Sequence, residues 1–325
     1  MQHWTDYWKN TNALNSFAEG EQGSGYSNEI ADFWNSQFKS LSKGSTLVDL
    51  GTGNGAVAVL AQLYSEANQS NFQVYGIDAA DITPKKINHK DAKVKKALSK
   101  INFIPNTLIE QSNFESNSVD FYFSQFAFEY SNIEKSVQHC AQCLKSGGKI
   151  TLLSHHPDSE ISKDSQVGAS VIHYILHESP VFLQTSLLLD IALQQTQAGQ
   201  MHNWHNNPYR QQISTTIKWI FDCLIDKFNA NQYESYWCKL LISKITNVIT
   251  ALGNSHPSQL MKQLEFTFVQ LDSHRKRLED QNEACLTSDK IQSFKEYSNK
   301  HNLDFDIQEL SVEGKLLAFR IHMTK

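Results

Sequence analysis

The most constraining stretch of the chain lies at residues 46–66. A short β-type run, Thr46-Leu47-Val48-Asp49-Leu50, ends in Gly51-Thr52-Gly53-Asn54-Gly55 and passes directly into residues 55–66, which read as a helix. Glycines at such a junction let a ligand approach the backbone closely, and the start of the helix offers N–H groups without intrahelical partners. The same alternation continues. Residues 73–77 read as a second strand ending at Asp78, residues 85–100 as a Lys-rich helix, and 101–104 and 118–124 as two more strands. Ile133, Val137, Cys140 and Leu144 form a helical stripe over 132–145, Gly147-Gly148 ends it, and 149–154 is a fifth strand. Strands alternating with helices imply a parallel sheet covered on both faces.

After residue 155 the alternation stops. Helical patterns run over 166–178, 181–198, 217–228, 237–252 and 257–282, and ten of the 14 glycines precede residue 151. The β-pattern resumes at 304–310 and 316–322, around Glu313-Gly314, after a helix at about 289–301. The expected organisation is an aromatic, helical segment at 1–43, an α/β core at 44–155, a helical insertion at 156–287 and a return to the core at 288–325.

Read as Gly51-x-Gly53-x-x-Ala56, the loop satisfies a dinucleotide fingerprint. Three features favour a different ligand. Asp49 stands two residues before the first glycine, where a carboxylate suits an amino-acid-bearing cofactor and would repel a pyrophosphate. Asp78, at the end of the second strand, is placed to accept from both hydroxyls of a ribose. The final helix–strand–strand fits an antiparallel hairpin added to a five-stranded parallel sheet. Residues 48–55, Val74-Tyr75-Gly76-Ile77-Asp78, residues 119–130 and residues 144–150 resemble, in this order, the motifs of class I S-adenosylmethionine-dependent methyltransferases. The resemblance covers about 44–155 and 289–323. It implies an α/β, Rossmann-like seven-stranded sheet of order 3-2-1-4-5-7-6 with strand 7 antiparallel, an N-terminal helical lid and a large all-helical insertion after strand 5. It also implies S-adenosyl-L-methionine as cofactor.

Carried over residue by residue, Gly51 and Gly53 pass under the methionine moiety and Asp49 stands near its ammonium. Asp78 holds the ribose, Ala79 and Ala80 flank the adenine, and Ile109 joins the cofactor set. Gln125 and Phe126 lie beside the transferable methyl. Leu108 stands where similar enzymes often carry an Asp for the adenine amino group, with Asn106 or Glu110 as substitutes. Among the lid aromatics Trp4, Tyr7, Trp8, Phe17 and Tyr26, the expectation is that Tyr7 or Tyr26 reaches the cofactor, since aromatic faces attract a sulfonium. Candidates for a general base are Glu129, Tyr130, His155 and His156, at the carboxyl ends of strands 4 and 5. The alternative for Glu129 is a helix cap or salt bridge, and for the two histidines a solvated loop.

Net charge is −5, pI is near 6.2, and only four of 29 basic residues are Arg. This disfavours a nucleic-acid partner. The Lys-rich run at 85–100 reads as a solvated helix face. Five scattered Cys do not form a disulfide framework, and the CxxC at Cys140 and Cys143 lacks further ligands, so no metal is expected. No signal segment or membrane span is apparent, and a cytoplasmic setting is expected. The leading expectation is therefore a methyltransferase acting on a small or medium-sized molecule enclosed by the insertion. The alternatives are a protein or tRNA methyltransferase and a non-catalytic cofactor-binding or partner-binding protein. The insertion could also serve as a homodimer interface.

Overall fold

A computed structural model describes residues 1–16 and 29–325. Contacts divide the chain into two units, Met1–Ser162 with Glu283–Lys325, and Lys163–Asn282.

The first unit is built on one seven-stranded sheet: β1 (Thr46–Leu50), β2 (Gln73–Ile77), β3 (Asn102–Ile104), β4 (Val119–Gln125), β5 (Leu144–His155), β6 (Asp304–Val312) and β7 (Lys315–Thr324). Their order is β3-β2-β1-β4-β5-β7-β6. β1 to β5 are parallel, and β7 runs antiparallel to both β5 and β6. This is the order and orientation expected from the sequence. The helices of this unit are α1 (Gln2–Asn10), α2 (Glu29–Lys39), α3 (Ala56–Asn68), α4 (Ala92–Lys100), α5 (Ile133–Cys143) and, after the insertion, α11 (Ser288–Lys300).

Successive strand residues face opposite sides of the sheet, and two cores follow from that alternation. Leu47, Val74, Phe121, Phe123 and Leu153 pack with Trp34, Phe38, Ala58, Val94 and Leu98 of α2, α3 and α4. Val48, Leu50, Ile77, Tyr122, Ile150 and Leu152 pack with Val137, Cys140 and Phe294 of α5 and α11. The sheet is thus covered on both sides, which explains why β1 and β4 read as nearly continuous apolar runs.

One local expectation is corrected. The Lys-rich stretch is not a single helix over 85–100. Pro84–Lys86 forms a short 3-10 turn, and α4 begins only at Ala92, where the Asp91 side chain accepts from the Lys93 N–H at 2.7 Å. An acidic N-cap of this kind satisfies a helix-end donor and sets the start.

The second unit is helical. It contains most of α6 (Glu160–His173), then a π-helical turn at Tyr174–Glu178, α7 (Val181–Gln197), α8 (Pro208–Lys227), α9 (Gln232–Thr250) and most of α10 (Pro257–Ala284). Its own core gathers Ile172, Ile175, Ile220, Leu224, Trp237, Leu241, Ile245 and Leu271. Gly168 permits this packing, because a Cβ there would lie 2.6 Å from the Trp237 ring. The Trp237 indole donates to Asp164 Oδ1 at 2.9 Å. No helix among the described residues is long and apolar enough to cross a membrane.

Candidate functional site

The carboxyl ends of β1, β2 and β4 open onto one cavity of about 150 Å³. The glycine loop shapes its floor. Gly51, Gly53 and Gly55 all have positive φ, at 67°, 53° and 90°. A Cβ on Gly51 would sit 2.3 Å from the Ala127 Cβ, and one on Gly53 would sit 2.5 Å from the Trp8 indole. Both the backbone conformation and the close approach therefore demand glycine.

Asp49 is buried at the end of β1. Its Oδ2 accepts from the Thr52 hydroxyl at 2.7 Å and from the Ala58 N–H at 3.1 Å. It thereby ties the loop to the first turn of α3, where helix N–H groups lack partners. Burial, with the nearby Asp78 charge as a smaller contribution, pushes its pKa up to about 7. Asp78 accepts from the Gly53 N–H at 2.7 Å and from the Ala80 N–H at 2.8 Å. Burial raises it to about 6, with those two bonds acting in the opposite direction. The lining thus contains two carboxyl groups poised near neutrality. It contains no Lys, Arg or His among the described residues. Residues 17–28 contain none of these three types either.

The rest of the wall is largely apolar: Met1, Trp4, Trp8, Leu14, Val57, Ala79, Leu108, Ile109, Phe126 and Tyr130. Of the aromatics in the expected lid, Trp4, Tyr7 and Trp8 are described. Trp4 and Trp8, one helical turn apart on α1 and stacked at 6.4 Å, line the cavity. The Tyr7 hydroxyl instead donates to the Asn15 carbonyl at 3.3 Å. Tyr26 and Phe17 lie outside the described residues. α1 is fastened by Asn54, which is fully buried and donates to the carbonyls of Trp8 (3.2 Å) and Ala13 (2.9 Å). A Lys9–Asp81 ion pair and an Asp81 N–H bond to Thr5 hold its other side.

On the side expected to meet adenine, Ala79, Thr107, Leu108 and Ile109 line the cavity, and Ala80 does not. Neither proposed substitute for the missing Asp reaches it. Asn106 donates to Asp81, and Glu110 accepts from Ser136.

At the end of β4, Gln125 and Phe126 both line the cavity. Phe126 has a φ of 57°, rare for a residue with a bulky side chain, and its ring stacks on His155 at 4.6 Å. The catalytic candidates separate here. Tyr130 lines the cavity, in edge-on contact with Trp4 at 5.9 Å, whereas Glu129 and His155 are buried behind the wall. Glu129 Oε1 accepts from the His155 N–H at 2.8 Å, and burial lifts Glu129 to about 7. His155 is pushed down to about 3 by burial and is neutral, with its Nε2 3.2 Å from the Tyr130 hydroxyl. Glu129 therefore reaches the cavity only through other groups. His156 is also buried, its ring tilted at 35° against Phe319 with centroids 4.1 Å apart and its Nε2 3.5 Å from Glu309 Oε1. All five cysteines are free, and among the described residues no cluster of His, Cys, Asp or Glu is placed to hold a metal.

Residues 48–152 match the family model described as a methyltransferase domain. No curated protein matches the chain. Among solved structures, it is similar to a putative S-adenosyl-L-methionine-dependent methyltransferase from Methanococcus maripaludis, at 13% identity and a TM-score of 0.39, covering 91% of this chain and 83% of that one. It is also similar to geranyl diphosphate C-methyltransferase from Streptomyces coelicolor A3(2), at 16% identity and a TM-score of 0.36, covering 48% and 67%. A third, a geranyl diphosphate methyltransferase in complex with GPP and sinefungin, is 18% identical with a TM-score of 0.33, and the coverage is 39% of this chain but only 46% of that one. The match to a methyltransferase domain is thus confined to residues 48–152, and the sheet that carries them has the strand order expected above for the class I S-adenosylmethionine-dependent superfamily.

Proposed function

We propose that the chain is an S-adenosylmethionine-dependent methyltransferase that acts on a small or medium-sized acceptor. The observation that carries this reading is the charge pattern of the cavity: two buried carboxyls and several aromatic rings, without a cation in the described lining. Such a wall suits a ligand with an ammonium, a sulfonium and vicinal hydroxyls, and it opposes a pyrophosphate. S-Adenosylmethionine would supply a methyl group on its sulfonium sulfur, whose carbon an acceptor nucleophile takes by in-line displacement, the C–S bond breaking to leave the thioether S-adenosylhomocysteine.

The chain's own residues bind, orient and exclude water. Asp78 offers both carboxylate oxygens to ribose hydroxyls while two backbone N–H groups hold it still. Asp49 offers its charge to the ammonium, and Ala79, Leu108 and Ile109 give an apolar slot for a purine. Trp4, Trp8, Phe126 and Tyr130 provide aromatic faces for a sulfonium. Holding the reactants aligned in a dry site can supply most of the acceleration. Among the catalytic candidates, Tyr130 has direct access to the acceptor. Neutral His155 fixes the phenol from behind, and Glu129 fixes His155 through its backbone.

The cavity of about 150 Å³ is small beside the roughly 300–1,000 Å³ of a typical ligand site. The deciding experiment is a screen with methyl-labelled cofactor against metabolite and protein extracts. Label in the small-molecule fraction is expected. Label confined to protein or RNA would replace the acceptor assignment, and none in any fraction, with the cofactor bound, would favour a non-catalytic binder.

A further inference from the structure

Two hydrogen-bonding side-chain atoms of the cavity wall are buried without a partner among the described residues: Gln125 Nε2 and Ser131 Oγ. Buried donors are nearly always satisfied, and one left open at a cavity wall points to what the cavity holds. The orientation of the Gln125 amide is settled by chemistry. The indole Nε1–H of Trp34 lies 2.7 Å from the amide, and an indole nitrogen can only donate. The atom facing Trp34 is therefore the oxygen, and the NH₂ group is turned away from it. Trp34 is itself fully buried, set between Phe33, Phe38 and Phe123, so it cannot swing aside. Gln125 is only 9% exposed and ends β4, next to the strained backbone of Phe126.

We propose that Gln125 reads an oxygen of the bound reactants, with Trp34 as the residue that positions its amide. This rests on the methyltransferase reading above. Since the described lining carries no cation, an oxygen-bearing group entering it has to be met by neutral donors, and the Gln125 NH₂ is one with no competing bond. Ser131 Oγ offers a second neutral donor on the same wall. The oxygen belongs either to the amino-acid carboxylate of the cofactor or to the methyl acceptor, and the two sources give different results.

The test compares S-adenosylhomocysteine with 5′-methylthioadenosine, which lacks the amino-acid end, by calorimetry on the wild-type protein, Gln125→Glu and Trp34→Phe. Gln125→Glu keeps the size and an acceptor for Trp34 and replaces the donor NH₂ by a carboxylate oxygen, which repels the oxygen that the amide would have met. Thermal unfolding of each variant confirms that it folds. If the oxygen is the cofactor's carboxylate, Gln125→Glu weakens S-adenosylhomocysteine by at least about tenfold and leaves 5′-methylthioadenosine within about twofold. Trp34→Phe, which frees the amide to turn over, gives a smaller loss in the same ratio. If the oxygen is the acceptor's, both ligands bind Gln125→Glu as they bind the wild type, and labelled-methyl transfer into a small-molecule extract at saturating cofactor falls at least about tenfold. Unchanged binding together with unchanged transfer overturns the proposal. An equal loss for both ligands also overturns it, because that marks a structural role. Failure of the wild-type protein to bind S-adenosylhomocysteine removes the methyltransferase reading and this inference together.

Discussion

The two units differ in what they hide and what they show. The α/β unit buries Asp49, Asp78, Gln125, Glu129 and His155 close to one cavity. Among the described residues the helical unit fully buries only Ser165 and Thr185 of its polar side chains, together with the largely enclosed His274, which burial pushes down to about 3. Exposure runs the other way. Leu183, Leu187, Tyr209, Trp219, Ile225, Tyr236, Phe266 and Val269 are exposed apolar residues of the helical unit, and among the described residues only Met1 and Leu108 join them from the other. Burying a carboxyl group costs free energy, and such costs gather where ligands are bound. Exposed large apolar side chains in number mark a surface for contact instead. The buried ionisable side chains thus gather in the first unit, and the exposed large apolar ones in the second.

The largest expected effect breaks the floor of the cavity. Gly51→Val forces a Cβ into Ala127 in a left-handed conformation. It should destabilise the protein by about 3 kcal/mol and abolish cofactor binding, as measured by urea unfolding and calorimetry. A well-folded Gly51→Val protein that still binds would show that the loop does not face the ligand.

Next comes Asp78→Ala. Loss of two charge-assisted bonds to a ribose should weaken S-adenosylhomocysteine roughly 100-fold, while substitutions on the helical unit such as Trp219→Ser leave it within about twofold. Equal effects in both units would erase the contrast drawn above.

The third expectation concerns pH. Asp49 and Asp78 are held at about 7 and about 6, above their unfolded values. Between pH 4 and 7 the folded, ligand-free state therefore binds more protons than the unfolded state. Their contribution to stability is fully present below pH 4 and is lost as pH rises through about 6 and 7. A cationic ligand favours the ionised forms, so its affinity should rise over the same interval. Thermal unfolding and calorimetry at pH 5 and pH 8 check both trends, and Asp49→Asn should flatten them. Affinity that falls with rising pH would contradict the role given to the carboxylates.

The smallest effect is Asn54→Ala. Removing two backbone contacts to the α1 segment should loosen it by about 2 kcal/mol, seen as faster proteolysis near residues 10–16, with little change in global unfolding.

The strands themselves, the glycine loop and the two carboxylates were legible because they depend on local pattern, short apolar runs and glycine at a strand–helix junction, whereas the strand order followed only from the family resemblance. The helix start at Ala92 was equally local, and Asp91 is the cap signal that marks it. Trp4 and Trp8 also carried a signal, since with Met1 they share one helical face by spacing alone. Which face turns inward is decided by Gly53, 45 residues beyond Trp8, and no local pattern reports that. Trp34 meets Gln125 across 91 residues, and Glu129 is hidden by packing from β5 and α11; neither relation leaves a trace in spacing.

The central claim is that the cavity takes a sulfonium cofactor and rejects a pyrophosphate one. Calorimetry of S-adenosylmethionine and NAD, side by side on the wild-type protein at pH 8, tests it most directly. The structure predicts saturable binding of S-adenosylmethionine and none of NAD. Binding of NAD, or of neither ligand by a folded sample, would contradict it.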